Sequence, residues 1–78
     1  DVSSAIYPNP AKGGIFHINP GAKLKPGTSA RIFDIDGREM MRFVVGREDS
    51  SFQCNQCVSG VFVIRFDNGM SAALVDMP

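Results

Sequence analysis

The sequence lacks several features that would point directly to a function. It contains no tryptophan, one tyrosine and one histidine, His17. No apolar run approaches the ~20 residues that a membrane-spanning helix needs. Eight basic residues balance eight acidic ones, whereas binding to nucleic acid needs a basic face. Nucleic acid is therefore not expected to be a partner.

The chain also has no recognisable export signal at its start. It begins at Asp1, and no cationic stretch is followed by an apolar block. We therefore expect residues 1–78 to be a processed piece or a single domain of a longer protein. A chain of this length buries only about 60–65% of its unfolded surface, so its core is small and leaves little room for a deep pocket.

Helical patterning is equally scarce. Apolar residues do not recur at three- and four-residue spacing, and eight glycines and five prolines interrupt the chain. Short apolar runs between turn residues are typical of all-β proteins. The pattern predicts seven strands, at about residues 5–7, 14–18, 29–35, 38–45, 51–54, 61–66 and 70–77. Seven short strands in so short a chain favour a seven-stranded, immunoglobulin-like antiparallel β-sandwich.

Turn residues set the expected ends of these strands. Pro8-Asn9-Pro10 should end the first strand, because proline donates no backbone N–H to a ladder. Asp36-Gly37 predicts a tight hairpin turn with positive φ at both positions, and Asp67-Asn68-Gly69 predicts another turn. The apolar run Val61 to Phe66 should form a central strand, and Phe52 to Cys54 a short edge segment.

Few residues could carry catalysis. His17 lies on the face of the second strand opposite Phe16 and Ile18, and is expected at the surface. A Ser-His-Asp site needs three convergent groups and a zinc site needs three or four ligands; the sequence suggests neither. Asp34, just before a turn, is expected to accept hydrogen bonds from turn amides. The residues thus predict no enzyme, no metal site and no cofactor.

The cysteine pair Cys54 and Cys57 allows three interpretations. A disulfide across one tight turn fits an oxidising compartment, although so short a loop stabilises less than a long one. Two buried thiols would act as small apolar side chains. A redox centre would need a helix N-terminus to lower a thiol pKa, and the sequence after Cys57 runs into a strand instead. The residues leave these alternatives open.

Four short motifs follow one another along the chain. They are Tyr7-Pro8-Asn9-Pro10; Gly14 with Phe16 and Ile18; Arg31-Ile32-Phe33-Asp34 running to Gly37-Arg38; and Gly60-Val61-Phe62-Val63-Ile64-Arg65. In this order and spacing, from about Ile6 to Val75, the sequence closely resembles the C-terminal sorting domains of type IX secretion cargo. The family motif residues are then Tyr7, Pro8, Asn9, Pro10, Asp34, Gly37, Arg38, Gly60, Val61 and Phe62. Of these, Gly60 is expected to permit the bend that begins the central strand.

The sequence also departs from the family pattern. Phe33 and Phe62 stand where the family often has tyrosine. Cys54 and Cys57 stand where aliphatic residues usually lie, which favours inward-facing sulfurs. The terminal strand lacks the lysines that the family commonly carries there.

The resemblance implies an export label and not an enzyme. Such domains direct their parent protein through the periplasm and across the outer membrane of Gram-negative bacteria, to the cell surface or the medium. The implied partners are the parent cargo domains N-terminal to this segment, the outer-membrane translocon with its shuttle protein, and a cysteine-protease-like sortase. The sortase usually removes the domain, by a cut near or upstream of Asp1.

We expect the C-terminal hairpin, Val61 to Met77, to be the surface that the export machinery recognises. A terminal strand at a sheet edge would offer unpaired backbone groups to a partner, and exposed edges would also allow an edge-paired dimer. The predicted recognition residues are Val61, Phe62, Val63, Gly69, Leu74 and Val75. On this hypothesis, truncating Leu74 to Pro78 abolishes export of a fused cargo that remains folded.

Two alternatives belong to other functional classes. An immunoglobulin-like accessory or carbohydrate-binding module of a secreted protein would usually show exposed aromatic residues, and the sequence offers few. An oxidoreductase built on the cysteine pair would be detected by a thiol titration and an insulin-reduction assay.

Overall fold

A computed structural model describes residues 2–77 and contains seven strands, with no α-helix in that range. The strands are β1 (Ile6–Lys12), β2 (Ile15–Ile18), β3 (Ser29–Phe33), β4 (Glu39–Val44), β5 (Ser50–Gln53), β6 (Gly60–Phe66) and β7 (Ser71–Met77). One 3₁₀ turn, Ser3–Ala5, precedes β1. The all-β class and the number of strands are confirmed. Within the described residues, no helix is long and apolar enough to cross a membrane.

The strands form one hydrogen-bonded sheet in the order β4-β3-β6-β7-β1-β2-β5. Five neighbouring pairs are antiparallel, whereas β1 and β7 are parallel. The prediction of a purely antiparallel fold is therefore wrong for this pair. Parallel strands need a long connection, and β1 and β7 are joined only through the rest of the chain.

The sheet curls until its two edge strands face each other. In a flat sheet, β4 and β5 would lie about 29 Å apart, since neighbouring strands are spaced by about 4.8 Å. Instead, the rings of Phe43 on β4 and Phe52 on β5 have centroids 4.6 Å apart. Phe16 on β2 lies against both rings, at 5.7 and 5.8 Å. This curled packing fits a β-sandwich, while the immunoglobulin-like assignment stays a prediction.

Side chains alternate between a buried inner face and a solvated outer face. On β6, Phe62, Ile64 and Phe66 are buried, while the residues between them point outward. The inner faces of the other strands join them in one apolar cluster that includes Phe16, Ile18, Ile32 and Leu74. The predicted central position of β6 is confirmed, since it lies between β3 and β7. β5 is an edge strand, as expected.

The Asp36-Gly37 turn differs from the tight two-residue turn that was predicted. The Gly37 N–H donates to the Asp34 carbonyl at 3.0 Å, and the Asp34 N–H donates to the Arg38 carbonyl at 2.9 Å. Only Gly37 has positive φ, at 88°, and Asp36 does not. This geometry matches a three-residue hairpin loop with glycine at the left-handed position. The turn at Gly69 repeats it, with φ of 89°.

β1 does not end at Pro8-Asn9-Pro10, so the predicted boundary at residue 7 is wrong. The strand continues to Lys12, because it gains a second partner in β7, where Ala11 pairs with Asp76. The expected interruption of the ladder is present on the other side. Pairing with β2 breaks after Tyr7 and resumes only at Lys12.

Candidate recognition surface

Where β1 runs beside β7, the side chain of Asn9 makes the hydrogen bonds that a strand backbone would otherwise make. Pro8 and Pro10 on either side of it have no N–H to donate. The Asn9 side-chain amide instead donates to the Ala73 carbonyl at 3.1 Å and accepts from the Val75 N–H at 3.0 Å. A side chain thus performs the pairing that a strand backbone would perform. The Pro-Asn-Pro motif therefore joins the first strand to the last one.

Replacing Asn9 with alanine should lower the free energy of unfolding by about 1–2 kcal/mol, because two exposed hydrogen bonds of about 1 kcal/mol each are lost. The thermal midpoint should fall by roughly 4–16 °C in a domain of this size. Asn55→Ala is the matched control, since Asn55 is an exposed loop residue and should change stability by less than about 0.5 kcal/mol. Equal midpoints for the two variants would show that the Asn9 bridge does not stabilise the fold.

The hairpin motif at Asp34 works through the carboxylate of that residue. One oxygen accepts from the backbone N–H groups of Asp36 and Arg38, both at 2.9 Å. The other oxygen lies 3.3 Å from Nε of Arg38. The backbone N–H of Arg38 is the main cause that lowers the pKa of Asp34 below its ordinary value. Asp34 thus holds the turn in place, which is the role expected from its position.

Gly60, in the fourth motif, does not supply the bend that was expected of it. The residue with positive φ is the preceding Ser59, at 56°, which is the one non-glycine residue of residues 2–77 in that region. Gly60 is the first residue of β6 and pairs with Asp76. A Cβ at Gly60 would lie 3.5 Å from the ring of Phe62, which is ordinary contact. The prediction for Gly60 is therefore wrong, because the turn bends one residue earlier.

The β6–β7 hairpin divides the predicted recognition residues into three groups. Val61, Val63 and Val75 lie on the outer face, with Val61 directly opposite Val75; Val61 is 50% exposed and Val63 37%. Phe62 and Leu74 are buried in the core. Gly69 lies in the exposed turn. Of the six, only the three valines lie on the outer face of the strands, where Val61 and Val63 are exposed and Val75 is partly exposed, and we call them the valine patch.

The terminal strand β7 is not an edge of the sheet. It lies between β6 and β1, and the edges are β4 and β5. The premise that β7 offers an unpaired backbone is therefore wrong. The sequence could not show this, because the strand that covers β7 comes from the opposite end of the chain. An edge-paired dimer would have to use β4 or β5, and such a dimer stays a prediction.

The end of β7 is held by the buried carboxylate of Asp76, which lies beside the loop formed by the cysteine pair. Cys54 and Cys57 form a disulfide and are both buried. Beside this loop, the Asp76 carboxylate is only 3% exposed. It accepts from the Gly14 N–H at 2.7 Å and from the Ser59 N–H at 2.9 Å. The β1–β2 turn, the cysteine loop and the terminal strand therefore meet at one carboxylate.

Sequence reasoning missed Asp76, although a signal for it was present. Ala72 and Leu74 alternate inward along β7, and the next inward position is an aspartate. A charged residue in register with a buried face needs hydrogen-bond partners. That alternation would have identified Asp76 as a buried anchor.

A cluster of Tyr7, His17 and Asp49 was also missed. The rings of Tyr7 and His17 stack at 5.0 Å, because the two residues are cross-strand partners on β1 and β2. His17 Nδ1 lies 3.5 Å from Asp49. The Tyr7 hydroxyl donates to the same carboxylate, and this hydrogen bond is the main cause that raises the pKa of Tyr7. The cluster joins the β4–β5 loop to β1 and β2, and His17 is only partly exposed.

Comparison with known proteins gives one match that covers most of the chain. A family model described as a secretion system C-terminal sorting domain matches residues 5–75. No curated protein and no solved structure matches the chain significantly. The matched region includes the Asn9 bridge, the Asp34 turn and the valine patch.

Proposed function

Because this chain belongs to the family of type IX secretion system C-terminal sorting domains, we propose that its folded outer surface is the address recognised by the export machinery. Membership of this family supports attachment to a cargo protein and export of that protein to the outer membrane or cell surface. It is not a known enzyme family. In our proposal, the translocon and its shuttle protein bind the domain, and the sortase then removes it from the cargo.

The valine patch is the observation that carries this proposal. Val61, Val63 and Val75 are aliphatic side chains held next to one another on the solvated face of a sheet. Strands with one solvated face usually alternate apolar-in and polar-out, so three outward valines need an explanation. A partner that covers them would bury apolar surface, which drives association. This mode of recognition uses the face of the sheet and not an edge.

The structure also changes the meaning of the truncation experiment. Leu74 is fully buried and Asp76 is a buried anchor. Removing residues 74–78 should therefore unfold the domain, and loss of export could not be assigned to loss of a recognition surface. Substitutions on the outer face are the better test of recognition.

A direct test of the function is to transfer the domain to a new cargo. Residues 1–78 are fused to the C-terminus of a folded periplasmic passenger in a bacterium that has a type IX system. We expect the passenger to reach the cell surface or medium with the domain, and to stay in the periplasm without it. The same fusion in a strain that lacks the translocon is the control. An equal distribution of passenger with and without the domain would refute the proposal.

A carbohydrate-binding function is less well supported by the described residues. Sugar-binding modules use exposed aromatic faces, and most large exposed hydrophobic side chains in residues 2–77 are aliphatic. Tyr7, the exposed aromatic residue among them, stacks one face of its ring on His17.

A further inference from the structure

Three arginines lie side by side on the outer face of β4, β3 and β6. Arg42 is the cross-strand partner of Arg31, and Arg31 is also the partner of Arg65. All three residues are exposed, and we call them the arginine row. Like charges directly opposite each other weaken a sheet. Three adjacent arginines are therefore an unfavourable arrangement for the sheet itself and suggest a role in binding.

Neighbouring acidic residues neutralise the arginine row only in part. Glu39 lies 2.7 Å from Nε of Arg42 and 3.6 Å from Arg31. Among residues 2–77, no carboxylate forms an ion pair with Arg65. The carboxylate of Asp67, at the same end of the sheet, accepts from the Ser29 N–H at 3.1 Å. The row thus keeps an excess of positive charge, although the whole chain has a net charge of zero.

Aromatic and apolar neighbours give the row a defined shape. The guanidinium carbons of Arg31 and Arg65 lie 5.4 and 6.0 Å from the ring centroid of Phe33. Contacts at this distance are favourable cation–π interactions. They therefore favour positions of these two guanidinium groups over the Phe33 ring even without a ligand. All three arginines line a surface depression of about 400 Å³, which is within the size range of ligand sites.

We propose that the arginine row binds an acidic polypeptide segment of the export machinery, a proposal that rests on the function proposed above. Guanidinium groups bind carboxylates with two parallel hydrogen bonds, and arginine is enriched at protein interfaces. Val63, the next outward residue along β6 from Arg65, extends the surface into the valine patch. A peptide with acidic and apolar side chains would cover both kinds of residue at once. An inorganic phosphate or polyphosphate would leave the valines exposed.

Fluorescence anisotropy with a short labelled peptide of alternating glutamate and valine tests the binding directly. The 78-residue chain should bind this probe, and Arg65→Glu should weaken binding at least about tenfold, as expected for a lost charge-assisted contact. Arg47→Glu is the matched control, because it makes the same charge change at an exposed loop position outside the row. It should bind the probe nearly as well as the unaltered chain. Binding should also weaken as salt is raised.

Other outcomes of the same titration would overturn the proposal. An equal loss of affinity for the probe in the Arg65→Glu and Arg47→Glu variants would show a nonspecific effect of charge. Equal binding of a glutamine–valine peptide would show that carboxylates are not recognised. Polyphosphate that binds more tightly than the acidic probe would indicate a phosphate site instead. Circular dichroism melts of both variants show whether the Arg65→Glu variant is folded. If it is not, Arg65→Gln serves, and it should still bind the probe more weakly than the unaltered chain; equal binding would overturn the proposal.

Export of the fused passenger separates this proposal from the one it rests on. We expect Arg65→Glu to reduce export while Arg47→Glu leaves it normal. If both variants export normally but deletion of the domain abolishes export, the sorting function stands and the acidic partner is refuted. If deletion of the domain has no effect, the sorting function itself is refuted.

Discussion

Replacing Gly14 with alanine should destabilise the domain more than most other single methyl additions would. A Cβ at Gly14 would lie 2.1 Å from the carbonyl oxygen of Cys54, and the residue has φ of 73°. Neither group can move away freely, because the Gly14 carbonyl accepts from the Cys54 N–H and the Gly14 N–H donates to Asp76. We expect a loss of roughly 3–5 kcal/mol, which would lower the thermal midpoint by about 15 °C or more.

Gly13 provides a matched control for this substitution. It has a similar φ of 66°, but nothing lies within 4 Å of an added Cβ. Gly13→Ala should therefore cost only the 1–2 kcal/mol of a left-handed non-glycine residue. Thermal melts of both variants, followed by circular dichroism, measure the difference. If Gly14→Ala melts at the same temperature as Gly13→Ala, the close packing of the turn against the cysteine loop is wrong.

Replacing Asp76 with alanine is expected to have an effect of similar size. The change removes the acceptor of two backbone N–H groups, those of Gly14 and Ser59. The Gly14 N–H, left buried without a partner, costs about 1–3 kcal/mol, and the part-buried bond to the Ser59 N–H adds about 1 kcal/mol, so the loss is roughly 2–4 kcal/mol. The measurement is the free energy of unfolding from a urea titration, in which the transition midpoint should fall sharply while the slope stays constant.

Asp67→Ala is the control for the Asp76 variant. Asp67 is exposed and accepts a hydrogen bond from the Ser29 N–H, so water can replace it. That variant should lose no more than about 1 kcal/mol. A loss at Asp76 as small as the loss at Asp67 would mean that the buried carboxylate does not hold the end of β7.

Local chemistry in the sequence predicted much of the fold. The strands from Ser29 to Phe66 were expected close to their observed positions, because Asp-Gly and Asn-Gly pairs mark the turns and alternating residues mark the faces. The central position of β6 followed from its almost continuous apolar run. These features depend on neighbours within about ten residues, which a sequence pattern can show.

The remaining features depend on contacts between distant parts of the chain. Asn9 pairs with the backbone at Ala73 and Val75, and Gly14 meets Asp76. No periodicity connects residues more than 60 positions apart, so β7 was expected at an edge when it is covered by β1. The contact of Asp49 with Tyr7 and His17 was hidden in the same way, because it also joins distant parts of the chain. The family resemblance identified the motif residues, but it did not show that the Asn9 side chain makes the hydrogen bonds to β7 that a strand backbone would otherwise make.

The buried and turn-forming residues of the family motifs stabilise the fold, whereas outward residues of the same strands form the surface available to a partner. The Asn9 bridge and the Asp34 turn both fix strands in place. Phe62 is buried in the core. The outward residues of β3, β4, β6 and β7 carry the valine patch and the arginine row. The domain is thus a small folded support for one mixed apolar and cationic face.

Export of a passenger whose domain is folded but altered on that face is the most direct test of this account. The variant combines Val61→Lys with Val75→Glu, which are cross-strand partners, so the new charges attract and the net charge is unchanged. The control makes the same pair of changes at exposed positions elsewhere, Ile15→Lys and Val58→Glu. With both domains folded by circular dichroism, we predict export of the control and retention of the first variant. Normal export of the first variant would contradict recognition through the outer face.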